Sequence, residues 1–147
     1  MVNIRAEEYY EGFSDAELSD IKSQPYQVGR RSFNVLELLA AWAAHVEKID
    51  KDRTKSPSDP KVWGAYDLLA AMSMRSSLEK SMSQMRDSIR SKIFDLTTEI
   101  DKQFVSITQP DENHLVAEFE EADLSDRPWW WHRIPDSGPI LDELSNQ

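Results

Sequence analysis

The chain contains no cysteine, which excludes a disulfide framework, a zinc ribbon and thiol chemistry. Glycine is almost as scarce. Gly12, Gly29, Gly64 and Gly138 stand far apart, so there is no G-x-G-x-x-G turn, no Walker loop and no G-x-S-x-G elbow. The histidines, His45, His114 and His132, fall at none of the spacings that metal motifs use, and the residue three before His45 is Trp42 rather than a carboxylate. No catalytic residue, cofactor or metal is expected on these grounds. No apolar run approaches the roughly 18 residues that a bilayer-spanning helix needs, so no membrane partner is expected. The acidic opening, with Tyr9 and Tyr10 in it, is the reverse of a signal peptide, and a cytoplasmic location is expected.

What the chain does have is charge, unevenly spread. The net charge is −10 over 147 residues, made of −5 in residues 1–20, +3 in 21–110 and −8 in 111–147. Such a field repels phosphate backbones and makes nucleic acid an unlikely partner, whereas a basic protein surface suits it. The length and the 39% hydrophobic fraction indicate one domain over 1–147, with an acidic tail at 1–12, a helical core at 13–110 and an acidic, tryptophan-rich segment at 111–147.

Two helix starts are written in the same way. In Phe13-Ser14-Asp15-Ala16-Glu17-Leu18, Ser14 and Glu17 form a capping box while Phe13 and Leu18 staple across it, and Pro25 ends this short helix. In Phe33-Asn34-Val35-Leu36-Glu37-Leu38 the same roles recur, so a second helix begins near Val35 and fades near Arg53. Its apolar positions Val35, Leu39, Trp42, Val46 and Ile49 lie along one seam. A loop at Thr54 to Asp59 follows, and Asp59-Pro60 reads as the cap of a third helix.

From Pro60 no proline occurs until Pro110. Leu78, Met82, Met85, Ile89, Ile93, Leu96, Ile100, Phe104 and Ile107 step by 4, 3, 4, 4, 3, 4, 4 and 3, an eleven-residue repeat at about 3.67 residues per turn, close to the free helix. The fold class expected is mainly α, a helical hairpin with one long amphipathic helix over about 60–107. A continuous helix of that length is about 70 Å long, and a break near Ser73 to Ser77 is the alternative. The second helix reaches only to about residue 80, so roughly 40 Å of stripe needs another cover. The short N-terminal helix, the C-terminal segment folding back or a second copy of the chain could supply it; the expected cover is the second copy, in a helical-bundle homodimer with Leu78, Met82, Met85, Ile89, Ile93, Leu96, Ile100 and Phe104 as the interface.

Beyond Pro110, residues 114–121 fit a strand or a short helix, a last helical turn is expected around Ile140 to Leu144, and the rest reads as irregular. Glu118, Glu120, Glu121, Asp123 and Asp126 form an acidic cluster that lacks the order of a calcium loop. Trp129, Trp130 and Trp131 cannot all face one way, so two can clamp the helix stripe while exposed surface remains. With Arg133 they are the protein-binding candidates, because tryptophan and arginine dominate interface hot spots. Arg75, Lys80, Arg86, Arg90 and Lys92 make a local basic stretch. The functional expectation is a non-enzymatic interaction or assembly protein, with an acidic inhibitor or immunity-type partner of a basic protein as one form. The alternatives are a small enzyme with carboxylates drawn from separate segments, and a nucleic-acid-associated regulator using the basic stretch.

Overall fold

Local chemistry opens the first two helices as the capping signals require. Ser14 Oγ accepts the Glu17 amide at 3.1 Å and the Glu17 carboxylate accepts the Ser14 amide at 2.9 Å, starting α1 at Asp15–Ser23. Asn34 and Glu37 exchange the same pair of bonds at 2.9 Å, starting α2 at Val35–Asp52. The computed structural model describes residues 4–147. Met1 to Asn3, the first part of the expected acidic tail, lie outside the described residues, and Ala6–Gly12 forms a 3-10 segment packed on α2.

A hairpin that sequence patterning had not indicated joins α1 to α2. Strands β1, Tyr26–Val28, and β2, Arg31–Phe33, pair antiparallel with Tyr26 opposite Phe33. Gly29 takes φ +61° at the first central position of the turn, where glycine is the residue such hairpin turns favour. The signal was present as a Gly-x pair between two three-residue runs, too short to register as periodicity.

The single long helix expected over about 60–107 is instead two helices, α3 at Ala65–Ser83 and α4 at Asp87–Ser106. The break lies at Gln84 to Arg86 rather than Ser73 to Ser77. Arg75 on α3 bonds Asp101 on α4 at 2.9 Å, although a continuous helix would hold them about 39 Å apart at about 1.5 Å per residue. The chain therefore folds back on itself. No glycine or proline marks the turn. Arg86 takes extended backbone at ψ 160° ahead of α4, Asp87 stands in the first turn where the helix dipole favours it, and the Arg90 guanidinium donates to the Met85 carbonyl at 2.8 Å. Met85 stays buried inside the turn, which is why the eleven-residue stripe runs unbroken through a broken helix.

The start of α3 also differs from the Asp59-Pro60 expectation by one helical turn and more. The buried Asp52 carboxylate accepts Lys48 Nζ and the Trp63 amide, each at 2.8 Å, while Lys48 also reaches the Lys61 carbonyl at 2.7 Å. These bonds hold residues 59–63 in an irregular turn. Gly64 then caps α3, and the Glu143 carboxylate accepts the Ala65 amide at 2.6 Å.

After α4 the chain forms β3, Thr108–Pro110, which pairs antiparallel with β4, Arg133–Pro135. Between these strands lie α5, Leu115–Glu120, and a 3-10 turn at Trp129–His132. Residues 114–121 thus take the helical option, bounded by His114 at φ 54° and Glu121 at φ 56°. Helix α6, Pro139–Ser145, supplies the expected last turn. Gly138 before it has φ +97°, and a Cβ there would stand 2.7 Å from Arg53 Cα.

Helix makes up 62% of the described residues, which also form two small antiparallel sheets, so the mainly helical class holds. Helix α2 packs against both α3 and α4, and one apolar cluster extends from Phe13 to Leu144. Among the described residues no helix is long and apolar enough to cross a membrane.

Candidate binding groove on the outer face of the fourth helix

Helix α4 carries apolar side chains on two faces. The inward one is the expected stripe, where Ile89, Ile93, Ile100 and Phe104 are buried against the chain's own core and Leu96 is half-buried. Leu78, Met82 and Met85 are buried likewise. The gap that called for a second copy closes when α3 and α4 fold back beside α2, and these side chains have little surface left to offer another molecule.

The outward face was not singled out in the sequence. Phe94 and Val105 lie eleven residues apart, about three turns, and so share a side. They are 60% and 44% exposed. With Thr98, Asp101 and Lys102 they line one wall of a groove of about 480 Å³; Trp129, 41% exposed, forms the other wall, and Arg75 and Glu79 on α3 reach it from below. Of the four large apolar side chains most exposed among the described residues, three line this groove. The fourth, Tyr66, packs edge-on against Phe119 with ring centroids 4.9 Å apart.

The three tryptophans divide between core and surface. Trp130 and Trp131 are buried, and both indoles donate to Ser76 Oγ at 3.0 Å. Arg75 stacks on Trp130 at 4.2 Å and Arg127 on Trp131 at 4.3 Å. Trp129 meets Trp130 edge-on at 5.7 Å and lies 6.3 Å from the Phe104 ring. A single 3-10 turn fans successive side chains round its axis by about 120°, so two can enter the core while the third points out. Arg133, also named from the sequence, ties down the end of α4: it donates to Thr108 Oγ1 at 2.8 Å and to the Thr108 carbonyl at 2.9 Å.

Beneath the groove lies a charged network. The Asp101 carboxylate accepts Trp42 Nε1 at 3.0 Å and Arg75 Nε and Nη2 at 2.9 Å each. Arg75 is 4% exposed, and its Nη1 has no hydrogen-bond partner. Glu79 Oε1 forms an ion pair with it at 3.7 Å, beyond a hydrogen bond. The sequence held one clue to this network: Arg75 occupies a position on the buried seam of Leu68, Met72 and Leu78. A cation at a seam position needs a buried anion, but nothing in the sequence identifies Asp101 as that partner.

The basic stretch is largely engaged within the chain. Besides Arg75 with Asp101, Arg86 pairs with Asp20 at 3.0 Å, Lys92 with Glu17 at 2.7 Å, and Arg90 with Asp87. The Lys92 ammonium and the Ser14 amide hold the Glu17 carboxyl well below the usual range, at about 2. Of the acidic cluster, Asp123 is lowered by the Ser125 amide, which donates to it at 2.9 Å. His45 packs on Trp63 with ring centroids 5.1 Å apart, His132 contacts the Arg127 carbonyl at 3.0 Å, and His114 is exposed. Among the described residues no three metal-capable side chains gather closely enough to hold an ion. Comparison with protein-family models, curated proteins and solved structures returns no match to this chain.

Proposed function

We propose that the protein is a non-enzymatic interaction protein whose protein partner docks in the groove between α4 and Trp129. The observation that carries this reading is the gathering of Phe94, Val105 and Trp129 on one groove, each at least two-fifths exposed. Scattered apolar side chains are ordinary on a surface; apolar side chains collected around a tryptophan with charged neighbours are the composition of a hot spot. The −8 charge of residues 111–147 supports a partner that is basic around its contact, because complementary fields speed encounter.

Site-specific photocrosslinking tests it. A photoreactive side chain at Phe94 should yield one stoichiometric protein adduct in native lysate, lost when Trp129 is also changed to alanine. The same probe at Glu112, an exposed position lining a different pocket, should not yield it. Adducts that are equally heterogeneous at both positions would sink the reading.

A further inference from the structure

Resting on that docking reading, we infer that the groove takes an uncharged apolar segment of the partner, anchored by one aromatic or large aliphatic side chain, whose main-chain carbonyl accepts from Arg75 Nη1. The first observation is the wall: Phe94, Val105 and Trp129 provide apolar surface around about 480 Å³, room for a large side chain and its peptide group.

The second observation is independent of the wall. Arg75 is 4% exposed, and two of its three guanidinium nitrogens are committed to Asp101 while Nη1 has an ion-pair neighbour in Glu79 but no hydrogen-bond acceptor. A buried donor without an acceptor is rare and costly enough to need an explanation. Glu79, whose side chain is 50% exposed and also lines the groove, forms an ion pair with Nη1 at 3.7 Å, too long for a hydrogen bond. On this inference Glu79 turns aside when the partner binds, and the incoming acceptor takes its place at Nη1.

Charge balance then selects the kind of acceptor. The ionic groups lining the groove are Arg75 and Lys102 against Glu79 and Asp101, so they cancel. A carboxylate brought to Nη1 would meet Glu79 and Asp101 at close range. A peptide carbonyl meets no such repulsion and still makes a bond to a charged donor. The acidic surface outside the groove acts on the flanks of the partner, and the groove on its apolar anchor.

N-acetyl-tryptophan amide is a small probe with both features, and it can be titrated into the full chain while the Trp129 indole N–H and the Arg75 Nε–H are followed by NMR. Both signals should shift along one binding curve. 3-Methylindole, which has the ring and no carbonyl, should bind about tenfold more weakly. N-acetyl-tryptophan with its free carboxylate should also bind more weakly than the amide. Phe94→Ser should weaken the amide several-fold without lowering the melting temperature, and Glu79→Gln should strengthen it. Equal binding of 3-methylindole would remove the role of Nη1, and tighter binding of the free acid would make this an anion site; either overturns the inference. So would a concentration-dependent dimer abolished by Phe94→Ser, which would make a second copy the occupant. A specific crosslinked partner with no amide preference would leave the docking reading standing and the anchor chemistry wrong. Amide binding in the groove with no crosslinked protein would do the reverse.

Discussion

The two faces of α4 hold similar residues and meet opposite fates. Ile89, Ile93, Ile100 and Phe104 turn inward and are at least nine-tenths buried, whereas Phe94 and Val105 turn outward and stand open. A helix apolar on two faces is normally enclosed on both. Here α2 and α3 pack against α4 on one side, while the other is edged by Trp129 with Arg75 and Glu79 from α3. Hydrophobicity alone does not decide burial; what decides it is which surfaces the rest of the chain can reach. The surface it leaves uncovered is where a partner has something to gain.

Substitution on the inward face should therefore be far more damaging. Phe104→Ala removes a fully buried ring in contact with Trp42 at 5.1 Å, and should cost about 3 to 5 kcal/mol in denaturant unfolding. A loss under 1 kcal/mol would mean that the helix is not seated as described. Slightly smaller is the effect of cutting the network beneath the groove. Asp101→Ala leaves the Arg75 guanidinium and Trp42 Nε1 without their acceptor, at about 3 kcal/mol. Arg75→Met in the same chain should recover most of that loss, because an apolar side chain of similar length needs no partner. If the double variant is no better than the single one, the loss comes from Asp101 itself and not from a stranded arginine.

How much of this was legible depended on the range of the forces involved. The capping boxes at Ser14 and Asn34 involve residues three apart, and they read correctly from sequence. The stripe from Leu78 to Phe104 was legible as a buried surface for the same reason, since periodicity is local. The turn at Gln84 to Arg86 was not, because no glycine or proline makes it. It is held by long-range contacts, with Arg75 meeting Asp101 across 26 residues and α2 packing on both arms. Of the groove, the sequence marks Trp129 as a binding candidate but does not mark Phe94 and Val105. They lie off the stripe, and an off-stripe apolar pair on an amphipathic helix was the available signal.

A smaller, pH-dependent effect arises where α4 meets α1. Lys92 near the start of α4 holds Glu17 on α1 at 2.7 Å, and that bond, followed by the Ser14 amide, brings the Glu17 carboxyl from its ordinary 4.5 down to about 2. A carboxylate lowered in the folded state contributes its stability in full above the unfolded pKa. That contribution fades as pH falls from about 4.5 towards 2. Glu17→Gln should accordingly lower the melting temperature at pH 6, with the difference from the parent chain shrinking steadily below pH 4.5. A gap that stays constant down to pH 2.5 would assign the effect to capping geometry rather than to charge.

The smallest stability effect belongs to the outward face, and its smallness is what makes it informative. Phe94→Ser together with Val105→Ser removes two side chains that are 60% and 44% exposed, and should change unfolding free energy by no more than about 0.5 kcal/mol each. If these residues served the fold, their loss would approach that of Phe104→Ala, and the contrast between the faces would collapse. If they serve a partner, the doubly substituted chain should unfold almost as the parent does while the crosslink at the groove, read from a probe placed at Thr98, disappears. Folding and binding would then be separable on a single helix, the inward stripe answering to one and the outward pair to the other.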